Sequence, residues 1–199
     1  MEDLALFFKG MTSLEIIDVS DNIHVDRRKP FKYEEAMLHL IKGLRHCKSN
    51  LTWVNISSNQ GINGAKSFVE FKKLITESKK LRTLDISTLG MSKKNCKAFV
   101  KFLSDQMNNG WNLDNNLKEL IWNDDLKKSP STTLKLLTKD IPSVYNMKLT
   151  KLSMCGCLKS EPNRVKVSKA LKQLIPETVF EYPDDPNKDS KKEYASDKE

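Results

Sequence analysis

The sequence predicts an α/β fold in which one strand-and-helix unit is repeated along most of the 199 residues. Two observations predict it. A nine-residue pattern with apolar residues at its first, fourth and sixth positions occurs five times, beginning at Leu14, Leu51, Leu81, Leu117 and Leu149. Between the copies, apolar residues recur at the spacing of amphipathic helices. The copies begin about 30 to 37 residues apart, which leaves room for one strand and one helix in each unit.

The five copies of the pattern are predicted to be short strands. Their first, fourth and sixth residues are expected to face a core, as Leu51, Val54 and Ile56 do in the second copy. Trp122 falls on such a position and is therefore predicted to pack inside the protein. The ninth position is Asn22, Asn59, Leu89, Asp125 and Cys157 in chain order, and the two asparagines are expected to bond backbone groups where the chain leaves the strand.

Helices are predicted between the strands. Ser92 stands where a helix N-cap belongs, and Gly61 and Gly64 are expected to form the turn between the second strand and its helix. The first residues, MEDLALFFKGM, are predicted to form the helix of a preceding unit, and Glu177 to Pro183 a last edge strand. The predicted helices between strands are Tyr33 to His46, Ala65 to Ser78, Cys96 to Met107, one that begins at Ser131, and Arg164 to Ile175.

This strand-and-helix unit resembles the leucine-rich repeats of the ribonuclease-inhibitor-like class, over residues 1–182. The resemblance implies a leucine-rich-repeat solenoid, a curved arc with short parallel strands on its concave face and helices on its convex face. Leu89 and Asp125 depart from the pattern, because Asn is usual at the ninth position. The stretches LRTLDIS and LKELIWNDD are also similar in style to repeats of the actin regulators tropomodulin and CARMIL. Residues 183–199 are polar and are predicted to be a disordered tail.

The resemblance implies that the strand residues between the core positions line a concave binding surface. In the first four copies the third and fifth positions are Ile16, Asp18, Trp53, Asn55, Thr83, Asp85, Glu119 and Ile121, which are the predicted partner-binding residues. Trp53 has two interpretations. Tryptophan is favoured at the energetic centre of protein interfaces, and on this interpretation Trp53 anchors a partner. On the other, its ring lies over the neighbouring strands and covers Ile16.

The sequence contains no pattern that indicates catalysis. His24, His39 and His46 have no serine or cysteine nucleophile in a recognisable context. Cys155 and Cys157 form a C-x-C pair without the second pair of ligands that zinc sites require, so structural cysteines are the favoured interpretation. We therefore expect a non-enzymatic chain without catalytic residues, metal or cofactor.

The composition bears on partners and location. The net charge is +8 and the isoelectric point about 9.2, but the lysines occur as scattered pairs on predicted helices. Nucleic-acid binding requires basic residues concentrated on one surface, and neither nucleic acid nor membrane is favoured as a partner. The N-terminus lacks the features of a secretory signal, and we expect a cytoplasmic protein with reduced cysteines.

The favoured function is a scaffold that binds another protein through its concave face. The resemblance to tropomodulin and CARMIL implies regulation of the actin cytoskeleton, with actin or an actin regulator as the partner. Two alternatives stay open. Basic helices on the convex face would bind nucleic acid or an anionic membrane, or the chain would be the regulatory part of a larger enzyme.

Overall fold

Six short strands in the computed structural model form one parallel sheet, and their order in the sheet is their order along the chain. The structure describes residues 2–23, 31–108, 117–123, 149–155, 161–172, 175 and 177–179. A helix lies between each pair of neighbouring strands whose connection is described, which excludes the fourth and fifth strands, as parallel neighbours require a crossover connection. In chain order the elements are α1 (Glu2–Lys9), β1 (Ile16–Asp18), α2 (Phe31–Leu44), a 3₁₀ turn (Arg45–Cys47), β2 (Trp53–Asn55), α3 (Ala65–Glu77), β3 (Thr83–Asp85), α4 (Lys93–Asn108), β4 (Glu119–Ile121), β5 (Lys151–Ser153), α5 (Glu161–Lys172) and β6 (Glu177–Val179).

The α/β class and the alternation of strands with helices are confirmed. Each of β1 to β5 covers the third to fifth positions of one copy of the sequence pattern, and α1 and β6 also form where they were predicted. Helix ends differ by a few residues. The helix predicted from Cys96 begins at Lys93, because the Ser92 side-chain oxygen accepts a hydrogen bond from the Asn95 amide at 3.2 Å and caps the helix there. The helix predicted to begin at Ser131 and the tail at residues 183–199 lie outside the described residues.

The register of the sheet aligns equivalent positions of the pattern. Ile17, Val54 and Leu84 are paired across β1, β2 and β3, and Leu120 and Leu152 continue this row across β4 and β5. These middle residues are all buried and belong to the same apolar cluster as the inward residues of the helices. One face of the sheet is therefore covered by helices, and the residues on either side of each middle residue point to the opposite face.

Aromatic residues fill the centre of this core. Trp122 is 0% exposed, and its ring meets the ring of Phe99 edge to face, with 5.4 Å between the centroids. The ring centroids of Phe99 and Phe71 are 5.5 Å apart. The two ring contacts together connect α3, α4 and the residue that follows β4. The prediction that Trp122 packs inside the protein is confirmed.

Asn59 joins the first two strand turns. Its side chain is 0% exposed, and its Oδ1 accepts hydrogen bonds from the amides of Asn22 at 2.9 Å and Ile23 at 2.8 Å. Its Nδ2 donates to the carbonyls of Val19 at 2.7 Å and Ile56 at 3.0 Å. The predicted structural role of Asn59 is confirmed, whereas the side chain of Asn22 is exposed and within the described residues donates only to the carbonyl of Ser20 in its own unit.

The third unit closes its turn differently. Leu89 replaces asparagine and is buried in the core at 1% exposure. The link to the preceding unit comes from Asn63, which donates to the carbonyl of Gly90 at 2.8 Å and accepts from the amide of Ser92 at 2.6 Å. Asn95 donates to the carbonyl of Ile62 at 3.4 Å. An apolar residue is tolerated at position 89 because other side chains satisfy the backbone groups of this turn.

Two backbone features characterise the turns after the strands. Asp21, Ser58 and Thr88 occupy the eighth position of their units, and all have φ between 55° and 57°, in the left-handed region. Gly61 has φ 101°, and a Cβ there would lie 2.1 Å from the carbonyl oxygen of Tyr33, so only glycine fits. The predicted turn at Gly61 is confirmed.

An ion-pair network connects neighbouring helices on the covered side. Arg45, in the 3₁₀ turn after α2, bonds both Glu70 and Glu77 of α3. Lys48 reaches Glu77 at 2.6 Å and Lys73 reaches Glu70 at 2.8 Å. The hydrogen bond from Arg45 is the main reason that the pKa of Glu77 lies below its ordinary value, and the bond from Lys73 is the main reason that the pKa of Glu70 does so.

The described helices include none with the length and apolar character of a membrane span.

We predict that Trp122→Ala lowers the free energy of unfolding by about 3–5 kcal/mol, because it removes a fully buried ring and leaves a cavity against Phe99. Urea denaturation measures the change. Trp53→Ala is the matched control, since Trp53 is only half-buried and its loss should cost clearly less. Equal destabilisation by the two variants would contradict the assignment of the two sheet faces.

We predict that Asn59→Ala lowers the free energy of unfolding by about 2–4 kcal/mol, because buried amides and carbonyls of two turns lose their partner. Asn22→Ala is the control at the equivalent position of the first unit. Its side chain is exposed, and we expect a loss below about 1 kcal/mol. Similar losses for both variants in urea denaturation would show that Asn59 does not bridge the units.

Candidate protein-interaction surface

The sheet face opposite the helices brings all eight predicted partner-binding residues together. We call it the open face. The register pairs the third positions of successive strands with one another and the fifth positions likewise, so the residues form two parallel rows. All of them are exposed or half-buried. The open face consists of Ile16, Trp53, Thr83, Glu119 and Lys151 in the first row and Asp18, Asn55, Asp85, Ile121 and Ser153 in the second.

An apolar patch lies at the β1 end of the open face. Ile16 and Trp53 are direct register partners on β1 and β2. Ile16 remains 65% exposed, so Trp53 does not cover it from solvent. Within the described residues the indole N–H of Trp53 has no hydrogen-bond acceptor. The patch thus presents two large apolar side chains and one unused donor to solvent.

Acidic side chains lie beside this patch in the second row. Asp18 Oδ1 accepts from the Ser20 amide at 2.9 Å, and its Oδ2 accepts from Asn55 Nδ2 at 3.0 Å. Asp85 Oδ1 accepts from the Ser87 amide at 2.9 Å. The hydrogen bonds from Ser20 are the largest reason that the pKa of Asp18 lies below its ordinary value, so this carboxylate is ionised at neutral pH.

On the other half of the open face, the negative charge of Glu119 is balanced by the positive charge of Lys151. Glu119 accepts a hydrogen bond from the Thr83 hydroxyl at 3.1 Å and pairs with Lys151 Nζ at 2.5 Å. The bond from Lys151 is the main cause that lowers the pKa of Glu119, and the same bond raises the pKa of Lys151. Glu119 is therefore on the predicted face, but its charge already has a partner.

A third row of polar residues holds the strand ends in place. The amide of Asn123 donates to the Ser87 hydroxyl at 3.0 Å. Asn123 Oδ1 accepts from the Ser153 hydroxyl at 3.0 Å and from the Cys155 amide at 2.7 Å. Lys151 and this row of residues were not in the set of predicted partner-binding residues. The repeat supplies the missing information, because residues at the same position of successive units become neighbours.

No group of three or more His, Cys, Asp or Glu residues in the described part of the chain is arranged to hold a metal ion. His39 lies in α2 and His46 in the 3₁₀ turn, while Cys155 follows β5; His24 and Cys157 lie outside the described residues. A shallow groove of about 350 Å³ lies between α2 and α3, lined by Leu38, Lys42, Ala65, Lys66, Val69 and Glu70.

In comparisons with known proteins, no protein-family model matches this chain, and no curated protein matches it. We therefore infer the function of this chain from the geometry and chemistry of the open face.

We predict that the Glu119–Lys151 pair contributes about 0.5 kcal/mol of stability at neutral pH, a value typical of partly exposed, solvent-screened pairs. Because the folded-state pKa of Glu119 is lowered, this contribution is present above the unfolded-state pKa of about 4.3 and is lost as pH falls through the folded-state value. Urea denaturation of wild type and Glu119→Gln should thus differ at pH 7 and converge at low pH. Glu15→Gln, at an exposed site beside β1, is the control; a pH-independent difference for Glu119→Gln would contradict the prediction.

Proposed function

We propose that this chain is a leucine-rich-repeat solenoid that works as a non-enzymatic protein-binding module. The support comes from the regular repetition of the strands along the sheet and from the bonds between successive units. Five successive three-residue strands stand at the same positions of the sequence pattern, pair in register and in chain order, and alternate with helices on one side. The cross-unit bonds of Asn59 agree with the role of asparagine at the end of such repeats. On this proposal the open face is the concave face of the arc.

The observation that carries the proposed function is the pair of exposed Ile16 and half-buried Trp53 beside ionised Asp18. Interface centres combine an aromatic anchor with a polar rim, and a few such residues contribute most of the binding energy. Here a register-fixed sheet positions the anchor, so little conformational entropy is lost on binding. A partner protein is the ligand class that such a broad, shallow surface fits best.

The partner suggested by the sequence is actin or an actin regulator. The suggestion comes from the style of the repeats, which is similar to that of tropomodulin and CARMIL, and it implies a cytoplasmic location. A scaffold that holds a partner against the open face needs neither cofactor nor metal. Regulation of a larger enzyme by the same surface would use the same binding chemistry.

Binding of nucleic acid or anionic membrane by the helices has weaker support. Three of the cations on the helix side, Arg45, Lys48 and Lys73, are paired with Glu70 or Glu77, and the lysine pairs of the helices are scattered along the chain. Binding to a polyanion requires cations that can replace its counterions, and paired cations do this less effectively. The proposal therefore assigns partner binding to the open face.

We predict that Trp53→Ala weakens binding of the partner at least about 30-fold, because truncation of a central interface tryptophan costs about 2–4 kcal/mol. The measurement is quantitative capture from a eukaryotic lysate at physiological salt, with purified actin and with nucleic acid tested in parallel. Phe7→Ala is the control, since Phe7 is an exposed aromatic residue on α1, outside the open face.

Loss of one protein with Trp53→Ala and its retention with Phe7→Ala would support the proposal and identify the partner. Capture that is identical for wild type and both variants would contradict it. Binding of nucleic acid that falls steeply with salt, without dependence on Trp53, would support the helices instead.

A further inference from the structure

Two carboxylates on the open face lack a cation within the described residues. Asp18 and Asp85 have hydrogen bonds from amide groups but no ion pair there. This is notable in a chain with a net charge of +8. Among the ten residues that define the open face, the one cation is Lys151, which Glu119 already binds. The half of the open face around Trp53 is therefore locally acidic on a basic protein.

The register fixes how these groups are arranged. Asp18 and Asp85 occupy the fifth positions of β1 and β3, on either side of Asn55 on β2. Trp53 is two residues before Asn55 on the same strand. Neighbouring strands are about 4.8 Å apart, so the two aspartate backbones are about 10 Å apart. That spacing lets two cationic side chains of one segment bind the two carboxylates, one at each strand.

The remaining hydrogen-bonding capacity also favours a cationic ligand. Asp85 Oδ2 has no donor within the described residues, and the donors to Asp18 there are Ser20 and Asn55, which leave part of the carboxylate's capacity of about four hydrogen bonds unused. Asn55 uses its Oδ1 for the Ser57 amide and its Nδ2 for Asp18. The surface between the strands thus offers acceptors and the ring of Trp53, which attracts the guanidinium of Arg or the stem and ammonium of Lys.

We propose that the open face binds a basic segment of a partner protein, with one Arg or Lys side chain at Asp18, a second at Asp85, and one of them against the ring of Trp53. This inference rests on the proposed function and specifies the chemistry of the partner. An acidic segment would place like charges together, and a purely apolar segment would remove water from two carboxylates without replacing it. Both would bind more weakly than a segment with two cations.

The test uses random 12-residue peptides displayed on phage and selected on the full chain. Selected peptides are then synthesised and their affinities measured for wild type and for the double variant Asp18→Asn, Asp85→Asn. This variant should fold, because Asn55 occupies the equivalent position of β2 and its Oδ1 accepts the same turn hydrogen bond from the residue two positions on. The matched control is Glu34→Gln, Glu35→Gln, which changes the net charge equally at two exposed sites on α2.

We expect the selected peptides to contain at least two Arg or Lys residues and to bind the aspartate double variant about tenfold more weakly. The glutamate double variant should bind them as wild type does. Replacement of the arginines by citrulline, which keeps the shape and removes the charge, should cause a similar loss.

Three results would overturn the inference: selection of peptides without basic residues, unchanged affinity for the aspartate double variant, or no enrichment over the starting library. The first two leave the proposed function intact when binding still falls with Trp53→Ala. Peptide binding that depends on neither Trp53 nor the aspartates would count against both proposals.

Discussion

The register of the parallel sheet is the constraint on which the rest of the structure depends. Each of β1 to β5 contributes three residues, and only the middle one, such as Val54 or Leu84, faces the helices. A shift of one residue would place Trp53 and Asn55 in the core and the apolar residue in water. Burial of one apolar side chain per strand, repeated along the sheet, is therefore what fixes both the core and the composition of the open face. The same register makes Ile16 and Trp53 neighbours and separates Asp18 from Asp85 by one strand.

Strands this short have little stability alone, so each unit depends on contacts with the next. The contacts differ along the chain. Asn59 joins the first two turns from within the core, whereas Asn63 reaches Ser92 from the surface at the next junction. Arg45 connects the helices of the first two units. These bonds satisfy backbone and charged groups that the stacking of units would otherwise bury without partners, and they explain why the ninth position is asparagine in one unit and leucine in another.

The pattern of apolar residues was sufficient to predict the strands, the burial of Trp122 and the role of Asn59, because these features follow from positions within one unit. Features that depend on contacts between units could not be predicted in the same way. Glu119 was correctly placed on the strand, and the repeat makes Lys151 its neighbour, but the bond between them also depends on the conformations of both side chains. The exposure of Ile16 beside Trp53 likewise depends on how far the indole reaches over β1. Helix ends shifted because caps such as Ser92, rather than apolar spacing, determine where a helix begins.

Charge compensation divides the open face into two parts with different binding properties. A cation that approached Glu119 would have to displace Lys151 and the Thr83 hydroxyl, so its gain would be reduced by the interactions lost. A cation at Asp18 has no other cation to displace among the described residues, because the hydrogen bonds to this carboxylate there come from Ser20 and Asn55. The bonds from Ser20, and to a lesser extent the bond from Asn55, also keep the carboxylate ionised and hold it in one position, which lowers the entropy lost on binding. Selectivity for basic side chains is thus expected at the Trp53 half of the open face rather than at the Glu119–Lys151 pair of β4 and β5.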